Sequence, residues 1–232
     1  MLPIVSIFNL VSALFFGGIT LKLYLSYKKK KDENLGNFFK GFLSLTILLV
    51  LIASPGLIFS DLKTISLMYA IYPFFTLLGV AYFGVIPLKV LGWKKTKELF
   101  FRSMVGIAVV ITFFNIIDWQ PAIVHQQAPF IYWEDTRGDV MNIILGAVLG
   151  LTLLLIAVFF INQGLKSSDK FVKIRAFFIA AGIISLIMSA GTNFIFGASA
   201  QEYLGSIMAN FFNVLAAVLI AAGIYYKPKT SS

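Results

Sequence analysis

Residues 140–162 read VMNIILGAVLGLTLLLIAVFFIN, and no charged side chain interrupts this run. The run is long enough to cross the hydrocarbon core of a bilayer, which takes about 20 helical residues. Comparable apolar runs recur along the chain, which is 59% hydrophobic and only 12% charged. Soluble domains carry roughly twice that charged share, about 25%. A soluble fold of this size could not bury so much apolar surface, so the sequence predicts a membrane protein.

Seven membrane-spanning helices are predicted from the apolar runs and the turn residues between them. Ser54-Pro55-Gly56 closes the second helix, because proline disfavours helical geometry in the residue before it and glycine favours a turn. Pro73 predicts a bend within the third helix. The expected fold is an all-α polytopic bundle that forms one domain over residues 1–232. The predicted helices cover residues 2–27, 37–54, 63–88, 100–117, 140–162, 171–196 and 203–226.

The basic residues predict the orientation of the helices. With seven spans, seventeen of the nineteen lysines and arginines fall on one side, and only Lys63 and Arg137 fall on the other. The positive-inside rule therefore places the carboxyl terminus in the cytoplasm and the amino terminus outside. The lysines at 28–31 follow the first apolar run, the reverse of the order in a cleaved signal peptide, so the first helix is expected to be retained. The expected location is the cytoplasmic (inner) membrane of a prokaryotic cell.

The composition also limits the chemistry. The chain has no cysteine and a single histidine, His125, so no catalytic set is apparent and no enzyme activity or cofactor is expected. His125 with Asp118 or Glu134 is too sparse a set for a metal site, and none is predicted. The net charge of +9 follows the topology and does not predict nucleic-acid binding. The lysines at 28–31 are interpreted as a topology determinant that also contacts membrane lipid.

One long loop, residues 118–139, stands out because the other connections are short. Its mixture of aromatic residues, prolines and polar side chains argues against disorder, and long ordered loops are often functional. Trp119, Tyr132 and Trp133 fit either of two interpretations, the aromatic belt at the headgroup level or a lid that faces a ligand. Arg137 is expected either to pair with Glu134 or Asp135, or to hold an anionic ligand.

Buried amides form the second group of candidate residues. Asparagines lie in the outer halves of the fourth to seventh helices, and in a membrane such groups normally face other helices. They favour either a polar pocket beneath the long loop or hydrogen bonds that hold the bundle together. The combined ligand-binding candidates are Asn115, Asp118, Trp119, His125, Tyr132, Trp133, Arg137, Asn142, Asn193, Asn210 and Asn213.

The helix centres lack full charges. Proton pumps, ion-coupled carriers and retinal proteins need ionisable groups within the membrane, and the predicted seventh helix has no lysine for a retinal Schiff base. Gly146 and Gly150 form a GxxxG pair in the fifth helix. Such a pair allows close approach of a neighbouring helix or of a second protomer, so a homodimer stays open.

The layout resembles the amino-terminal seven-transmembrane sensor region of bacterial histidine kinases. The resemblance extends over nearly the whole chain and is one of layout: Tyr72-Pro73 in the third helix, residues 115–121 after the fourth, residues 173–178 entering the sixth, and Tyr225-Tyr226-Lys227 at the end of the seventh. In that family an output domain follows the seventh helix, whereas this sequence ends at Ser232. The resemblance therefore implies that a signal passes to a separate partner or to an output domain outside this sequence.

The expected function is a non-enzymatic, sensor- or receptor-like module that binds a small or lipid-like ligand in the outer half of the bundle and signals to a cytoplasmic or membrane protein. Two alternatives stay open. One is a non-catalytic subunit of a larger membrane complex. The other is a small-solute transporter with a three-plus-one-plus-three arrangement, although the paired prolines on which such carriers hinge are absent from the last three predicted helices.

Overall fold

A computed structural model describes residues 1–118, 120–134, 139–196 and 202–227, which contain seven helices long and apolar enough to cross a membrane. The chain is thus a multi-pass membrane protein, as the apolar runs predict. The helices are α1 (Ile4–Lys30), α2 (Glu33–Ala53), α3 (Leu62–Val90), α4 (Lys94–Ile117), α5 (Asp139–Lys166), α6 (Lys170–Phe196) and α7 (Glu202–Tyr225).

Charged residues carry several helices beyond their apolar segments. Helix α4 begins at Lys94, whereas its apolar run starts near Phe100. Ion pairs stabilise these additional turns outside the apolar runs. Nζ of Lys97 and Nζ of Lys89 lie 3.1 and 3.0 Å from the carboxylate of Glu33, at the start of α2. Hydropathy identifies only the apolar part of a helix. The predicted starts of α2 and α4, residues 37 and 100, therefore lie after the observed starts at Glu33 and Lys94.

The connection between α2 and α3 is the tight turn that its sequence predicts. Ser54 caps α2, and Gly56 adopts a φ of 71°, a left-handed conformation that glycine tolerates best. The backbone N–H of Gly56 donates to the carbonyl of Phe59 at 2.7 Å. Helix α3 continues through Pro73, so this proline is accommodated within the helix rather than ending it; the predicted bend stays a prediction.

The helices are arranged as a ring of six with a seventh on its outer side. Each helix of the ring packs on the next in the order α1, α2, α3, α5, α6, α7, and α7 returns to α1. Helix α4 lies along α3 and barely touches α5. Within the ring, packing is most extensive inside the two triplets α1–α2–α3 and α5–α6–α7, which meet along the less extensive α1–α7 and α3–α5 contacts. Outside the ring, α4 packs on α3 as extensively as the ring helices pack within a triplet.

The two triplets have different cores. The first is aromatic: Phe42 lies between Phe16 and Phe83, with ring centroids 5.3 and 5.6 Å apart. The second is built on small residues that let α6 and α7 approach closely. A β-carbon added at Gly182 would lie 2.9 Å from the carbonyl oxygen of Ala216, so the backbones are nearly in contact there.

Arg175 fastens α6 to the end of α7. Its guanidinium donates from Nε to the carbonyl of Gly223 at 2.9 Å and from Nη2 to the carbonyl of Ile224 at 3.1 Å. The last carbonyls of a helix have no partner within that helix, and a cation at this end also complements the helix dipole. Arg175 therefore satisfies the carboxyl-terminal turn of α7 from a neighbouring helix.

The two ends of the bundle differ in character. The lysine-rich end contains the α1–α2, α3–α4 and α5–α6 connections and the end of α7. The hairpin end contains the α2–α3 connection and a small sheet, made of β1 (Leu2–Pro3), β2 (Ile123–Gln127) and β3 (Phe130–Glu134) in the order β1-β3-β2. This sheet adds the described part of the long loop to an otherwise helical fold.

Candidate ligand-binding site at the hairpin end

The loop between α4 and α5 forms a β-hairpin. Strands β2 and β3 pair antiparallel, with His125 opposite Tyr132 and Val124 opposite Trp133. The exposed turn between them contains Ala128 and Pro129, joined by a cis peptide bond. Alternation along a strand places His125, Tyr132 and Glu134 on one face and Trp133 on the other. The hairpin thus presents two chemically distinct faces.

Three separate attachments fasten the hairpin to the helices. Strand β1, immediately before α1, pairs parallel with β3, and Leu2 N–H donates to the carbonyl of Pro129 at 2.9 Å. The hydroxyl of Tyr69 on α3 donates to the carbonyl of Trp133 at 3.2 Å, and the hydroxyl of Ser66 accepts from the N–H of Ala122 at 2.7 Å. The hairpin is therefore tied to α1 and α3 by hydrogen bonds.

The Trp133 face lies against the α2–α3 turn. A β-carbon at Gly56 would collide with the Trp133 ring and would also lie 2.9 Å from Cβ of Pro3. Glycine is required at position 56 for this reason as well as for its positive φ. Trp133 therefore packs on the protein as a half-buried side chain.

The opposite face carries a compact polar and aromatic group, which we call the His125 cluster (His125, Tyr132, Glu134 and Tyr203). Nε2 of His125 lies 2.6 Å from Oε2 of Glu134, and its ring stacks on Tyr132 with centroids 4.8 Å apart. Tyr132 is buried and approaches Tyr203 of α7, with centroids 6.4 Å apart. The cluster connects the hairpin to α7, a third helix.

The His125 cluster supplies two metal-ligand types, one imidazole and one carboxylate. Within the described ranges, no group of three or more histidine, cysteine, aspartate or glutamate side chains is close enough to hold a metal ion. Asp118, the third candidate, is exposed at the end of α4. The geometry is that of an ion pair or hydrogen bond that fixes the histidine ring between the strands.

A buried hydrogen-bond network links α1 to α7 below the hairpin. The amide nitrogen of Asn210 donates to Oδ1 of Asn9 at 2.8 Å and to the carbonyl of Ser206 at 2.9 Å, and its oxygen accepts from Ser12 at 2.6 Å. Asn9 in turn donates to the carbonyl of Ile52 on α2 at 3.3 Å. Sequence reasoning identified Asn210 but missed its partners on α1, although Ser6, Asn9 and Ser12 form a polar stripe at three-residue spacing.

Asn115 differs from Asn210 in lacking a partner for its amide nitrogen. Its side chain is 7% exposed, and Nδ2 has no hydrogen-bond partner among the described residues. The hydroxyl of Thr112, one turn earlier on the same face of α4, is also buried without a described partner. Leaving a buried donor unpaired costs about 1–3 kcal/mol, so these two buried groups have hydrogen-bonding capacity that the described residues leave unused.

The other candidates are dispersed. Asn142 and Asn213 are half-buried on α5 and α7. Trp119, Arg137 and the side chain of Asn193 lie outside the described residues, as does Asp135, so the expected Arg137 pairs are not described. Tyr132 and Trp133 of the hairpin and Tyr203 of α7 lie at the hairpin end, whereas Asn115 lies on α4, close to the residue where the chain leaves that helix for the hairpin.

The described surface has shallow depressions at the lysine-rich end. One is formed by residues 92–96 at the α3–α4 connection, and another runs along α1 between Gly18 and Lys29. Neither contains one of the ligand-binding candidates named above for the outer half of the bundle; the second includes Lys29 of the lysine run that is expected to contact lipid.

Comparisons with known proteins assign the chain to no family. No family model matches it, and no curated protein shows significant similarity to it. The functional argument therefore depends on the geometry.

Proposed function

We propose that the protein is a sensor- or receptor-like module of the cytoplasmic membrane, with the hairpin end outside and the lysine-rich end in the cytoplasm. A small or lipid-like ligand binds under the hairpin and signals to a protein partner. The observation that carries the proposal is the hairpin itself, a lid tied to α1, α3 and α7. It follows α4, where the amide nitrogen of Asn115 has no partner among the described residues.

The attachments of the hairpin would transmit its displacement to the helices of the bundle. Moving β3 would pull on β1, which continues directly into α1, and would disturb the contact of Tyr132 with Tyr203 on α7. Helices α1 and α7 end at the lysine-rich end, where Ser26 meets Tyr225 with their hydroxyl oxygens 3.0 Å apart. A displacement at the lid therefore has a continuous path of packed elements to the opposite face.

The test is a thermal-stability screen of the purified protein in detergent. Medium-chain fatty acids, monoacylglycerols, quinols and small amino-acid derivatives are suitable probes. We expect at least one class to raise the melting temperature of the wild type and of Asn162→Leu, an equivalent change at an exposed position on α5. Asn115→Leu should fold but lose the effect, because leucine fills the space without offering an amide. Equal stabilisation of both variants contradicts binding at Asn115.

A second function, small-solute transport, is favoured by the division of the ring into two triplets. The α1–α7 and α3–α5 contacts are less extensive than those within each triplet, which is the arrangement that lets two halves rock around a central path. A transporter would carry radiolabelled sugars or amino acids into proteoliposomes, whereas a sensor would give no flux above that of empty vesicles.

A further inference from the structure

The shallow depression along α1, which we now call the α1 groove, has a volume of about 370 Å³ and runs toward the lysine-rich end. Its lining residues recur at intervals of three and four, so they lie on the same side of the helix. The lining consists of Gly18, Leu21, Lys22, Leu25, Ser26 and Lys29. The groove therefore combines an apolar row, Gly18, Leu21 and Leu25, with a cationic and hydroxylated row, Lys22, Ser26 and Lys29.

Helix α7 shapes the cationic part of this groove. Nζ of Lys22 lies 4.3 Å above the ring centroid of Tyr225, and the hydroxyl of the same tyrosine contacts Ser26 at 3.0 Å. Tyr225 therefore holds Lys22 and Ser26 beside each other. Within the described residues, neither Lys22 nor Lys29 has a carboxylate within salt-bridge distance, in contrast to Lys89 and Lys97, which share Glu33.

The position of Lys22 along α1 indicates how deep its ammonium group lies in the membrane. Lys22 precedes Lys30, the last residue of α1, by about 12 Å at 1.5 Å per residue, and the whole helix is about 40 Å long. Counted from Ile4 along an upright helix, a hydrocarbon core about 30 Å thick ends near Lys22. A cation there is costly unless it is paired with an anion, and the ring of Tyr225 is only a partial substitute.

We propose that this groove binds an anionic phospholipid of the adjacent leaflet. The lipid phosphate lies between the ammonium groups of Lys22 and Lys29 and accepts a hydrogen bond from Ser26, which is within one turn of both. An acyl chain follows the exposed side chains of Leu21 and Leu25 past Gly18, where a β-carbon would meet no atom within 4 Å.

The groove favours this occupant over related ones. Its two lysines and lack of a described acid favour a net negative headgroup over a zwitterionic one that brings its own cation. Free phosphate would contact only the lysines and Ser26, whereas a phospholipid also contacts Leu21 and Leu25, which are 59% and 57% exposed. The site lies at the opposite end from the His125 cluster and does not depend on the ligand proposed there.

The test separates a defined site from general attraction to a charged leaflet. Lys22→Gln/Lys29→Gln removes two charges from the groove, and Lys30→Gln/Lys31→Gln removes two from the same end of α1 outside it. Binding of phosphatidylglycerol, of phosphatidylcholine with the same acyl chains, and of inorganic phosphate is measured by native mass spectrometry of the intact protein released from detergent. Unchanged melting temperatures without lipid establish that both variants fold.

We expect one phosphatidylglycerol to bind the wild type and the Lys30/Lys31 variant with equal affinity. The Lys22/Lys29 variant should bind about thirtyfold more weakly, the effect expected from losing two lysines beside an anionic lipid. Phosphatidylcholine should bind weakly to all three, and inorganic phosphate should not displace phosphatidylglycerol. Equal losses in both double variants, no loss in either, equal binding of the two lipids, or displacement by inorganic phosphate would each overturn the proposal.

Discussion

Asn210 and Asn115 are both buried asparagines near the hairpin end, yet their amides are in opposite states. Asn210 exchanges hydrogen bonds with Asn9, Ser12 and Ser206, so it joins α7 to α1 without help from a ligand. Asn115 has an amide nitrogen without a described partner. Of the two, Asn115 has the greater capacity for a ligand, because its hydrogen-bonding donor is not already used.

Sequence reasoning could find these amides but could not distinguish them. Asparagine in an apolar run predicts that the side chain faces another helix, and this holds for both Asn115 and Asn210, which are buried. Whether a partner is present depends on which residues the neighbouring helix brings opposite. Asn9 and Ser12 are about 200 positions away from Asn210 in the chain, so their pairing follows from the α1–α7 contact and not from any local pattern.

Asp61 provides a pH-dependent test of a single helix start. Its carboxylate accepts the backbone N–H of Thr64 at 2.8 Å and caps α3. This hydrogen bond, followed by one from the Thr64 hydroxyl, holds the pKa of Asp61 below its usual value of 3.8. A lowered pKa in the folded protein means that the cap stabilises fully above the unfolded pKa and that the gain is lost as the pH falls through the folded one.

We therefore expect Asp61→Ala to lower the melting temperature slightly above about pH 5. The difference from wild type should shrink as the pH falls below about 4. Asp61→Asn is the control, because an amide oxygen caps the helix without titrating. A wild-type advantage over alanine that persisted unchanged into strong acid would show that the carboxylate charge does not contribute. Circular dichroism of the detergent-solubilised protein measures all three.

At the scale of elements, the hairpin is where the structure differs most from the prediction, which treated residues 118–139 as a loop without strands. Residues 130–134, FIYWE, have the β-branched and aromatic composition of a strand. An isolated two-stranded hairpin is barely stable in water, so its sequence alone gives a weak signal. The third strand comes from Leu2 and Pro3, which pair with Phe130 and Ile131 at the far end of the long loop, so no local pattern reveals the pairing. The hairpin was therefore predictable as an ordered loop near the bundle but not as a sheet.

Close packing of α6 against α7 leads to a prediction about two glycines of the same helix. A β-carbon at Gly182 would lie 2.5 Å from Cγ1 of Ile220 and 2.9 Å from the backbone oxygen of Ala216, whereas one at Gly191 would meet no atom within 4 Å. Gly182→Ala must push the helices apart and should destabilise the protein by about 1–3 kcal/mol. Gly191→Ala gains only the better helix propensity of alanine, up to about 1 kcal/mol.

Unfolding with increasing fractions of dodecyl sulfate in mixed micelles measures both glycine variants under the same conditions. The steric explanation requires the order Gly191→Ala, wild type, Gly182→Ala from most to least stable. If both alanine variants were equally stable, the α6–α7 interface would have to be looser than the geometry indicates.

At the scale of the whole molecule, helix number follows from hydropathy, but helix order does not. Each apolar run reports only that its residues avoid water, and lipid satisfies this requirement as well as another helix does. The position of α4 outside the ring, on α3, and the return of α7 to α1 depend on which faces fit together, such as Gly182 against Ile220 or Asn9 against Asn210. Those complementary faces are not visible as periodic patterns within a single helix.

The absence of cysteine from the sequence allows the proposed orientation to be tested by single introduced thiols. Ala128 is exposed in the turn of the hairpin, and Lys95 is exposed at the start of α4 on the lysine-rich end. Because lysine-rich loops are retained in the cytoplasm, Ala128→Cys should react with a membrane-impermeant maleimide on intact cells, and Lys95→Cys only after permeabilisation. The unmodified protein is the matched blank, and equal expression of the variants excludes misfolding. The reverse pattern would invert the map and place the proposed lid on the cytoplasmic side, where it could not report on the exterior.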